Sequence, residues 1–218
     1  MRIGILGELT RFEELKQTLP ANADIIYNEL KLPETFGNYD IVFDLNFDDN
    51  TTRLDWYLEA PYETLFILSS ALIEIQSLKT DLSLSNNIFG MNCIPSFIHR
   101  KVKEISYRNE AQKLLIPLLA QKLGWEIVSV KDRVGMVTPR ILFMIMNEAY
   151  YTLQEGTASK TDIDTGMKLG TNYPFGPFEW CDKIGIKTVV KMLENIYDDT
   201  KDERYKICSL LKSERYLA

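Results

Sequence analysis

The sequence predicts an α/β domain with a mainly parallel sheet, followed by a domain built from helices. In residues 1–133, short apolar runs alternate with helical patterns, as in sheets whose parallel strands are joined by helices. In residues 134–218, the apolar residues recur at helical spacing and no convincing strand follows. We therefore predict two domains, 1–133 and 134–218.

Seven strands are expected in the first domain. The run TLFILS is rich in apolar residues, as expected of a strand that is buried on both faces. The run VKEISY alternates between apolar and polar residues, which is typical of a strand at a sheet edge. The predicted strands are Arg2–Gly7, Asp24–Tyr27, Tyr39–Leu45, Thr64–Ser69, Asn87–Met91, Val102–Tyr107 and Trp125–Val130.

The helical patterns are longest in the second domain. Ser159 precedes Asp162 by three residues, a spacing that predicts a capped helix start. The predicted helices are Thr10–Leu19, Asn109–Leu123, Pro139–Leu153, two helices that begin near Ser159 and Pro177, and Lys187–Tyr197.

Composition narrows the classes of partner. The 218 residues are 45% hydrophobic and 26% charged, which is ordinary for a globular protein with a buried core. A formal net charge of -6 argues against a nucleic-acid surface, because phosphate binding needs concentrated positive charge. The basic residues His99, Arg100, Lys101 and Lys103 are expected to form a solvated edge.

The cysteines and the apolar stretches of the sequence indicate in which cellular compartment the protein is expected. The three cysteines lie far apart without a CxxC pair, so neither a zinc site nor a disulfide framework is predicted, and no other metal cluster is indicated. Met1 is followed by a strand-like run and not by the apolar core of a signal peptide. No apolar stretch approaches the ~18 residues of a membrane span. We expect a cytoplasmic protein without a membrane partner.

The turn after the first strand is the expected position of a dinucleotide phosphate loop in a Rossmann-like domain. Such loops need glycines, because the backbone must approach the phosphates and present free amides at a helix N-terminus. Of the pattern G-x-G-x-x-G only Gly7 is present, while Leu9 and Phe12 stand at the other two glycine positions. Glu8 adds a negative charge beside any incoming pyrophosphate.

An acid at the end of a neighbouring strand often holds the ribose of such a cofactor. Glu29, after the second predicted strand, and Asp44, at the end of the third, are the candidates. Acids are common after strands, so either one is equally compatible with a turn that binds no ligand.

The segment from Val134 to Gly185 carries a group of specific motifs. Their order and spacing resemble the C-terminal domain of the 3-hydroxyacyl-CoA dehydrogenases. The motifs are VGMV, RIL, NEA, EGTAS, DIDTGMKLG, YPFGPFE and DKIG.

This resemblance implies a reduced, Rossmann-like parallel sheet followed by an all-α C-terminal domain of the 6-phosphogluconate-dehydrogenase type. It also implies NAD as cofactor, oxidation of 3-hydroxyacyl-CoA in fatty acid metabolism, and a homodimer that pairs through the C-terminal helices. The family inserts a long helical excursion, which carries part of the CoA-binding surface, where this chain has only the connection Leu30–Asn38.

The resemblance extends to the family's catalytic positions. The stretch Gly90–Glu104 aligns without a gap with the stretch that carries the family's general-base histidine and the glutamate that orients it. The matching residues here are Asn92 and Glu104. An asparagine side chain does not accept and release protons near neutral pH, so the base is missing.

Two further family positions hydrogen-bond the substrate. Ala71 stands in place of the serine and Pro139 in place of the asparagine, and neither side chain can hydrogen-bond. Ser69 and Ser70 lie close to the first position and are candidates to compensate. His99 is the one histidine of the chain, and we expect it to be solvated and beyond the reach of the base position.

These observations leave three functional hypotheses open. The first is a catalytically degenerate family member that serves as a binding, scaffolding or regulatory homodimer for an acyl-CoA-like ligand. The second is an active NAD-dependent 3-hydroxyacyl-CoA dehydrogenase. The third is an enzyme of altered chemistry that uses Glu104, Tyr107 or Cys93 in the same cleft.

Overall fold

The structure is a computed structural model that describes residues 1–32, 34–78 and 87–217. It divides into two compact units, Met1–Met136 and Val137–Ala218. The sequence placed this division slightly earlier, after residue 133.

The first unit contains a seven-stranded sheet. The strands are β1 Arg2–Leu6, β2 Asp24–Asn28, β3 Ile41–Asp44, β4 Leu65–Ser69, β5 Ile88–Met91, β6 Val102–Tyr107 and β7 Glu126–Lys131. Their order in the sheet is β2-β1-β3-β4-β5-β6-β7. Strands β1 to β5 pair in parallel, β6 runs antiparallel to β5, and β7 is parallel to β6.

The α/β class and all seven predicted strands are confirmed, but the position of β6 was predicted wrongly. Strand β6 lies between β5 and β7 and not at an edge. Its alternation arises because Ile105 and Tyr107 face the core, whereas Glu104 and Ser106 face the opposite side of the sheet. The sheet is also not wholly parallel, because β6 returns antiparallel to β5 through a connection without a helix.

Three α-helices accompany this sheet among the described residues: α1 Leu9–Lys16, α2 Leu54–Leu58 and α3 Glu110–Leu123. Helix α3 starts as predicted, because the side chain of Asn109 accepts a hydrogen bond from the amide of Gln112 at 2.9 Å. Helix α1 ends earlier than its apolar pattern predicts, because Thr18 and Leu19 form tighter turns with Leu15 and Lys16. The sequence analysis missed the short helix α2.

Apolar residues pack on both faces of the sheet. One cluster lies beneath α1 and α3, and it includes Phe12, Phe43, Met91 and Leu119. The other lies beneath α2, and Phe47, Tyr57 and Phe66 are members. Burial on both faces explains why the central strands are almost continuously apolar.

The second unit is helical, as predicted. Its helices are α4 Thr138–Gln154, α5 Lys160–Thr171, α6 Pro177–Ile184, α7 Ile186–Thr200 and α8 Ser209–Leu217. The predicted cap at the start of α5 is confirmed, because Ser159 accepts a hydrogen bond from the amide of Asp162 at 3.2 Å. Helix α8 was missed. The side chain of Gln154 accepts from the amide of Leu210 at 3.1 Å, near the start of α8, and so ties this helix to α4.

The DIDTGMKLG and YPFGPFE motifs hold α5 and α6 together. Asp164 accepts hydrogen bonds from the amides of Phe178 at 2.9 Å and Glu179 at 3.3 Å, at the start of α6. A side chain at Gly176 would collide with Asp164. Lys168 pairs with Glu179 at 2.5 Å. These motif residues therefore have a structural role within the unit.

No helix in the described part of the chain is long and apolar enough to cross a membrane.

Gly90 is required by packing between β4, β5 and β6. A methyl group there would collide with the hydroxyls of Ser70 and Ser106. We predict that Gly90→Ala lowers the free energy of unfolding by about 1–3 kcal/mol, the usual cost of overpacking a core. Urea denaturation followed by circular dichroism measures the change.

Gly166→Ala in α5 is the matched control. An added Cβ there meets nothing within 4 Å, and alanine favours a helix over glycine by roughly 0.5–1 kcal/mol. We expect this variant to be neutral or slightly more stable. An unchanged unfolding curve for Gly90→Ala would contradict the packing of Ser70 and Ser106 against β5.

Candidate functional site

Polar residues gather where β1, β2 and β3 end. Because these strands are parallel neighbours, their carboxyl ends meet at one edge of the sheet, where open α/β sheets bind ligands. A cavity of about 460 Å³ lies there. It is lined by Gly7, Glu8, Leu9, Thr10, Glu29, Leu30, Asn46, Asn50 and Arg53.

Gly7 shapes the turn between β1 and α1. Its φ of +134° lies in a region that side chains rarely adopt. A Cβ at this position would also lie 2.7 Å from Oδ1 of Asn46 and 2.8 Å from Cβ of Leu45. The one glycine that the loop pattern retains is therefore needed by the fold, whether or not a ligand is bound.

The other two glycine positions of the loop pattern differ in their surroundings. Phe12 is buried and stacks on Tyr27, with ring centroids 4.0 Å apart and an interplanar angle of 11°. The hydroxyl of Tyr27 donates to the carbonyl of Gly7 at 3.1 Å. Leu9 is 53% exposed and lines the cavity. Helix α1 therefore rests on an aromatic pair where a dinucleotide loop uses glycine for close packing.

The amide of Glu8, directly after Gly7, already has a partner. It donates a hydrogen bond to Oδ1 of Asn46 at 2.8 Å. No side chain caps the N-terminus of α1, so the next amides remain for water or a ligand. Arg11, in the first turn, is buried and lies near acids on both sides, 3.7 Å from Glu8 and 3.8 Å from Asp48.

Asp44 was predicted as a possible ribose ligand, and the structure corrects this prediction. Its side chain is fully buried. It forms an ion pair with Arg53 at 3.1 Å and accepts hydrogen bonds from the hydroxyl of Tyr57 at 2.6 Å and the amide of Asn46 at 3.1 Å. Burial, followed by the adjacent Asp44 carboxylate, raises the pKa of Tyr57, so the phenol stays a proton donor. Glu29 is the predicted acid that does line the cavity.

The lining residues do not fit the pyrophosphate of a dinucleotide. Glu8 and Glu29 place carboxylates on the cavity, where they would repel the phosphates. Arg53 is the lining cation, and it is already paired with Asp44. The amide of Glu8 is engaged with Asn46. The uncapped first turn of α1 is the one feature that favours an anion.

A second set of predicted residues lies where β4 and β5 end. Ala71 is fully buried, and its carbonyl accepts from the amide of Gly135 at 2.7 Å. Ser69 and Ser70 are also fully buried. The hydroxyl of Ser70 has no hydrogen-bond partner among the described residues and is packed against Gly90. The two serines are therefore not exposed substitutes for the missing serine.

Asn92 directly follows β5, and Glu104 lies in the neighbouring strand β6. The antiparallel pairing of β5 and β6 places Gly90 opposite Ser106 and Met91 opposite Ile105. Continuing this register by one residue sets Asn92 opposite Glu104. Asn92 is 7% exposed, and its Oδ1 accepts from the amide of Ile94 at 3.2 Å. The position that the resemblance assigns to the base is thus filled by a buried carboxamide that accepts a hydrogen bond within its own turn.

His99 lies on the other face of the sheet. Its Nδ1 is 3.2 Å from a carboxylate oxygen of Glu14 on α1, and α1 packs on the face opposite Glu104. The same carboxylate accepts from the amide of Ser96 at 2.8 Å. His99 therefore belongs to a contact that holds the connection between β5 and β6 against α1, which the sequence did not predict.

Three other polar residues of this region are buried. Burial raises the pKa of the Cys93 thiol, which keeps it protonated and unreactive. Tyr107 is 7% exposed, with the ammonium of Lys131 4.8 Å from its ring centroid. Lys103 is 3% exposed, which corrects its predicted place in a solvated edge, and burial lowers its pKa to about 8. Of the residues proposed for altered chemistry, Glu104 alone remains partly exposed.

Pro139 lies in the second unit. It is buried in the first turn of α4, where proline is favoured because the first amides of a helix have no partner within it. Its role there is that of a helix start.

The second unit matches a family model. The model for the C-terminal domain of 3-hydroxyacyl-CoA dehydrogenase covers residues 135–214. The 3-hydroxyadipyl-CoA dehydrogenase of Escherichia coli K12 is 42% identical over 97 residues, which are 44% of this chain and 20% of that protein. The matched part is therefore a small fraction of this relative's length.

Two relatives match over nearly the whole chain. A probable 3-hydroxybutyryl-CoA dehydrogenase of Bacillus subtilis is 26% identical over 215 residues, 94% of this chain and 75% of that protein. The crystal structure of the (S)-3-hydroxybutyryl-CoA dehydrogenase of Ralstonia eutropha superposes with a TM-score of 0.75 at 22% identity. This superposition covers 97% of this chain and 92% of that structure, and it supports the fold alone.

Proposed function

We propose that this chain is a divergent and catalytically degenerate member of the 3-hydroxyacyl-CoA dehydrogenase family, which its second unit and a full-length relative support. It keeps the two-domain architecture, has lost hydride transfer between NAD and 3-hydroxyacyl-CoA, and acts as a binding, scaffolding or regulatory protein. An acyl-CoA-like molecule is its proposed small-molecule ligand. The proposed location is the cytoplasm, which suits three free, buried cysteines.

The observation that carries this proposal is the pair Asn92 and Glu104. Oxidation of a secondary alcohol by NAD needs a group that takes the hydroxyl proton while the hydride leaves. Asn92 stands at the position of the family's histidine and has no proton-accepting nitrogen. Its side chain is buried and bonded to its own turn. Glu104 keeps the orienting position without a base to orient.

Cofactor binding is affected independently of the base. NAD is the cofactor that family membership implies, and when bound it accepts or donates the hydride. The carboxylates of Glu8 and Glu29, and the engaged amide of Glu8, oppose its pyrophosphate. Loss of a positioned base alone typically costs ~10²–10⁴ in rate, and weak cofactor binding adds to this loss.

An enzyme of altered chemistry is the second candidate. The partly exposed carboxylate of Glu104 favours it, because a carboxylate can act as a general base. Cys93 and Tyr107 are too deeply buried to support such a reaction. This candidate predicts a turnover that depends on Glu104 but is not restored or raised by a histidine at position 92.

The first experiment measures acetoacetyl-CoA reduction by the purified protein at 340 nm with excess NADH. We expect no rate above the background, because the base is absent. The Asn92→His variant restores an imidazole opposite Glu104 and is expected to gain a detectable rate at high NADH. The matched control is the double variant Asn92→His with Glu104→Gln, in which the imidazole lacks its orienting carboxylate.

Turnover by the unaltered protein at a rate typical of enzymes, roughly 1 per second or more, would refute catalytic degeneracy. If the Glu104→Gln variant also lost that turnover, the enzyme of altered chemistry would replace the degenerate protein as the proposed function.

We also propose a homodimer that pairs through helices of the second unit. Most apolar residues of α4 are buried inside the unit, but Ile141 is 58% exposed, and Leu169 on α5 is 83% exposed. Large exposed aliphatic side chains on helices are common components of subunit contacts.

Light scattering after gel filtration tests the dimer. The unaltered protein is expected to be dimeric at micromolar concentration, and Ile141→Lys is expected to shift it towards the monomer. Leu114→Lys, at a 79% exposed leucine of α3 in the first unit, is the matched control and should leave the mass unchanged. A monomeric unaltered protein would exclude this pairing.

A further inference from the structure

We infer that the side chain of Asn46 closes the turn after β1 to dinucleotides by taking the place of a phosphate oxygen. The inference rests on the proposed function, and it assigns the exclusion of NAD to a specific residue. Backbone amides at such a turn are the donors that hold phosphates in dinucleotide-binding folds. Here the amide of Glu8 donates to Oδ1 of Asn46 at 2.8 Å, an ordinary length for an N–H···O bond.

Asn46 is held firmly in this position. It is 8% exposed, and its own amide donates to the carboxylate of Asp44 at 3.1 Å. Its carbonyl accepts from the side chain of Asn50 at 3.4 Å. Asp44 is in turn fixed by Arg53 and by the hydroxyl of Tyr57. A ligand that needed the Glu8 amide would have to displace the buried side chain of Asn46, whose backbone is bonded to the ion-paired Asp44 carboxylate.

The space directly above Gly7 is also occupied by Asn46. The Cβ position of Gly7 lies 2.7 Å from Oδ1 of Asn46, so the oxygen sits directly over the glycine. A glycine turn gives the backbone close access to a phosphate, and the carboxamide of Asn46 occupies that approach.

Charge acts together with this contact. The side chain of Glu8 is 60% exposed, and Glu29 lies on the same cavity. A neutral carboxamide satisfies the Glu8 amide without bringing negative charge near these carboxylates. A pyrophosphate would bring two charges to the same place, and Arg53 is already neutralised by Asp44. The uncharged carboxamide of Asn46 is therefore a more favourable acceptor for the Glu8 amide than a pyrophosphate oxygen.

The hydrogen bond between Asn46 and the Glu8 amide could only stabilise the turn, or it could also exclude phosphate, and the two roles predict different results. If Asn46 only braces the turn, its removal lowers stability and leaves nucleotide binding unchanged. If it also excludes phosphate, Asn46→Ala frees the Glu8 amide and raises affinity. Asn46→Asp keeps an oxygen at this position and adds negative charge, so exclusion predicts that this variant stays closed.

The experiment titrates NADH and ADP-ribose into the full-length protein, with NADH fluorescence and calorimetry as readouts. The variants are Asn46→Ala, Asn46→Asp and the double variant Glu8→Ala with Asn46→Ala. Asn38→Ala is the matched control, because Asn38 is an exposed asparagine of the same unit that does not line this cavity. Circular dichroism and unfolding midpoints establish that each variant is folded.

We expect no saturable binding below millimolar for the unaltered protein, Asn46→Asp or Asn38→Ala. Asn46→Ala should bind both probes at least tenfold more tightly than the unaltered protein, and the double variant more tightly still. The inference is overturned if the unaltered protein binds as tightly as Asn46→Ala. It is equally overturned if the folded double variant shows no gain.

Failure of this inference is distinguishable from failure of the proposed function. NADH binding by the unaltered protein without reduction of acetoacetyl-CoA would overturn the role of Asn46 and leave catalytic degeneracy intact. Reduction of acetoacetyl-CoA by the unaltered protein would overturn catalytic degeneracy itself.

Discussion

The arrangement of the candidate site depends on the ion pair and hydrogen bonds of the buried Asp44 carboxylate. A buried charge is tolerated only when it is paired and hydrogen-bonded, and Asp44 meets this condition through Arg53, Tyr57 and the amide of Asn46. These bonds tie the end of β3 to helix α2. They also fix Asn46, whose side chain reaches the turn after β1. The hydrogen bonding of the turn after β1 thus follows from a requirement of the core at the end of the neighbouring strand β3.

The motif residues of the second unit, which matches the C-terminal domain model of 3-hydroxyacyl-CoA dehydrogenase, have structural roles of their own. The motif residues Asp164, Lys168, Gly176 and Glu179 contact each other and the start of α6. Their loss would destabilise the unit whether or not the protein is an enzyme, so physical chemistry favours their retention in a protein without activity. Asn92 and Ala71, at the positions that the resemblance assigns to catalysis, are also buried, and the side chain of Asn92 accepts a hydrogen bond from the amide of Ile94.

Much of the fold was predictable from the sequence because its determinants are local. Apolar runs located all seven strands, and the predicted cap at Ser159 follows from a short-range hydrogen bond. The position of β6 in the sheet was not predictable. Alternation of apolar and polar residues indicates which face of a strand is buried, but it does not indicate which strands are its neighbours. The candidate site was predictable only in part. Leu9 and Glu29 line the cavity as residues of the turn, but the burial of Asp44 and the reach of Asn46 depend on contacts distant in sequence.

The most direct measurement is hydrogen exchange of the Glu8 backbone amide, followed by NMR in the free protein and with millimolar NADH. Exchange reports whether the amide already has a partner, because a bonded and buried amide exchanges only when the structure opens. We predict slow exchange in the free protein, owing to Asn46, and no change when NADH is added. Fast exchange in the free protein that slows with NADH would contradict a turn closed by the chain's own side chain.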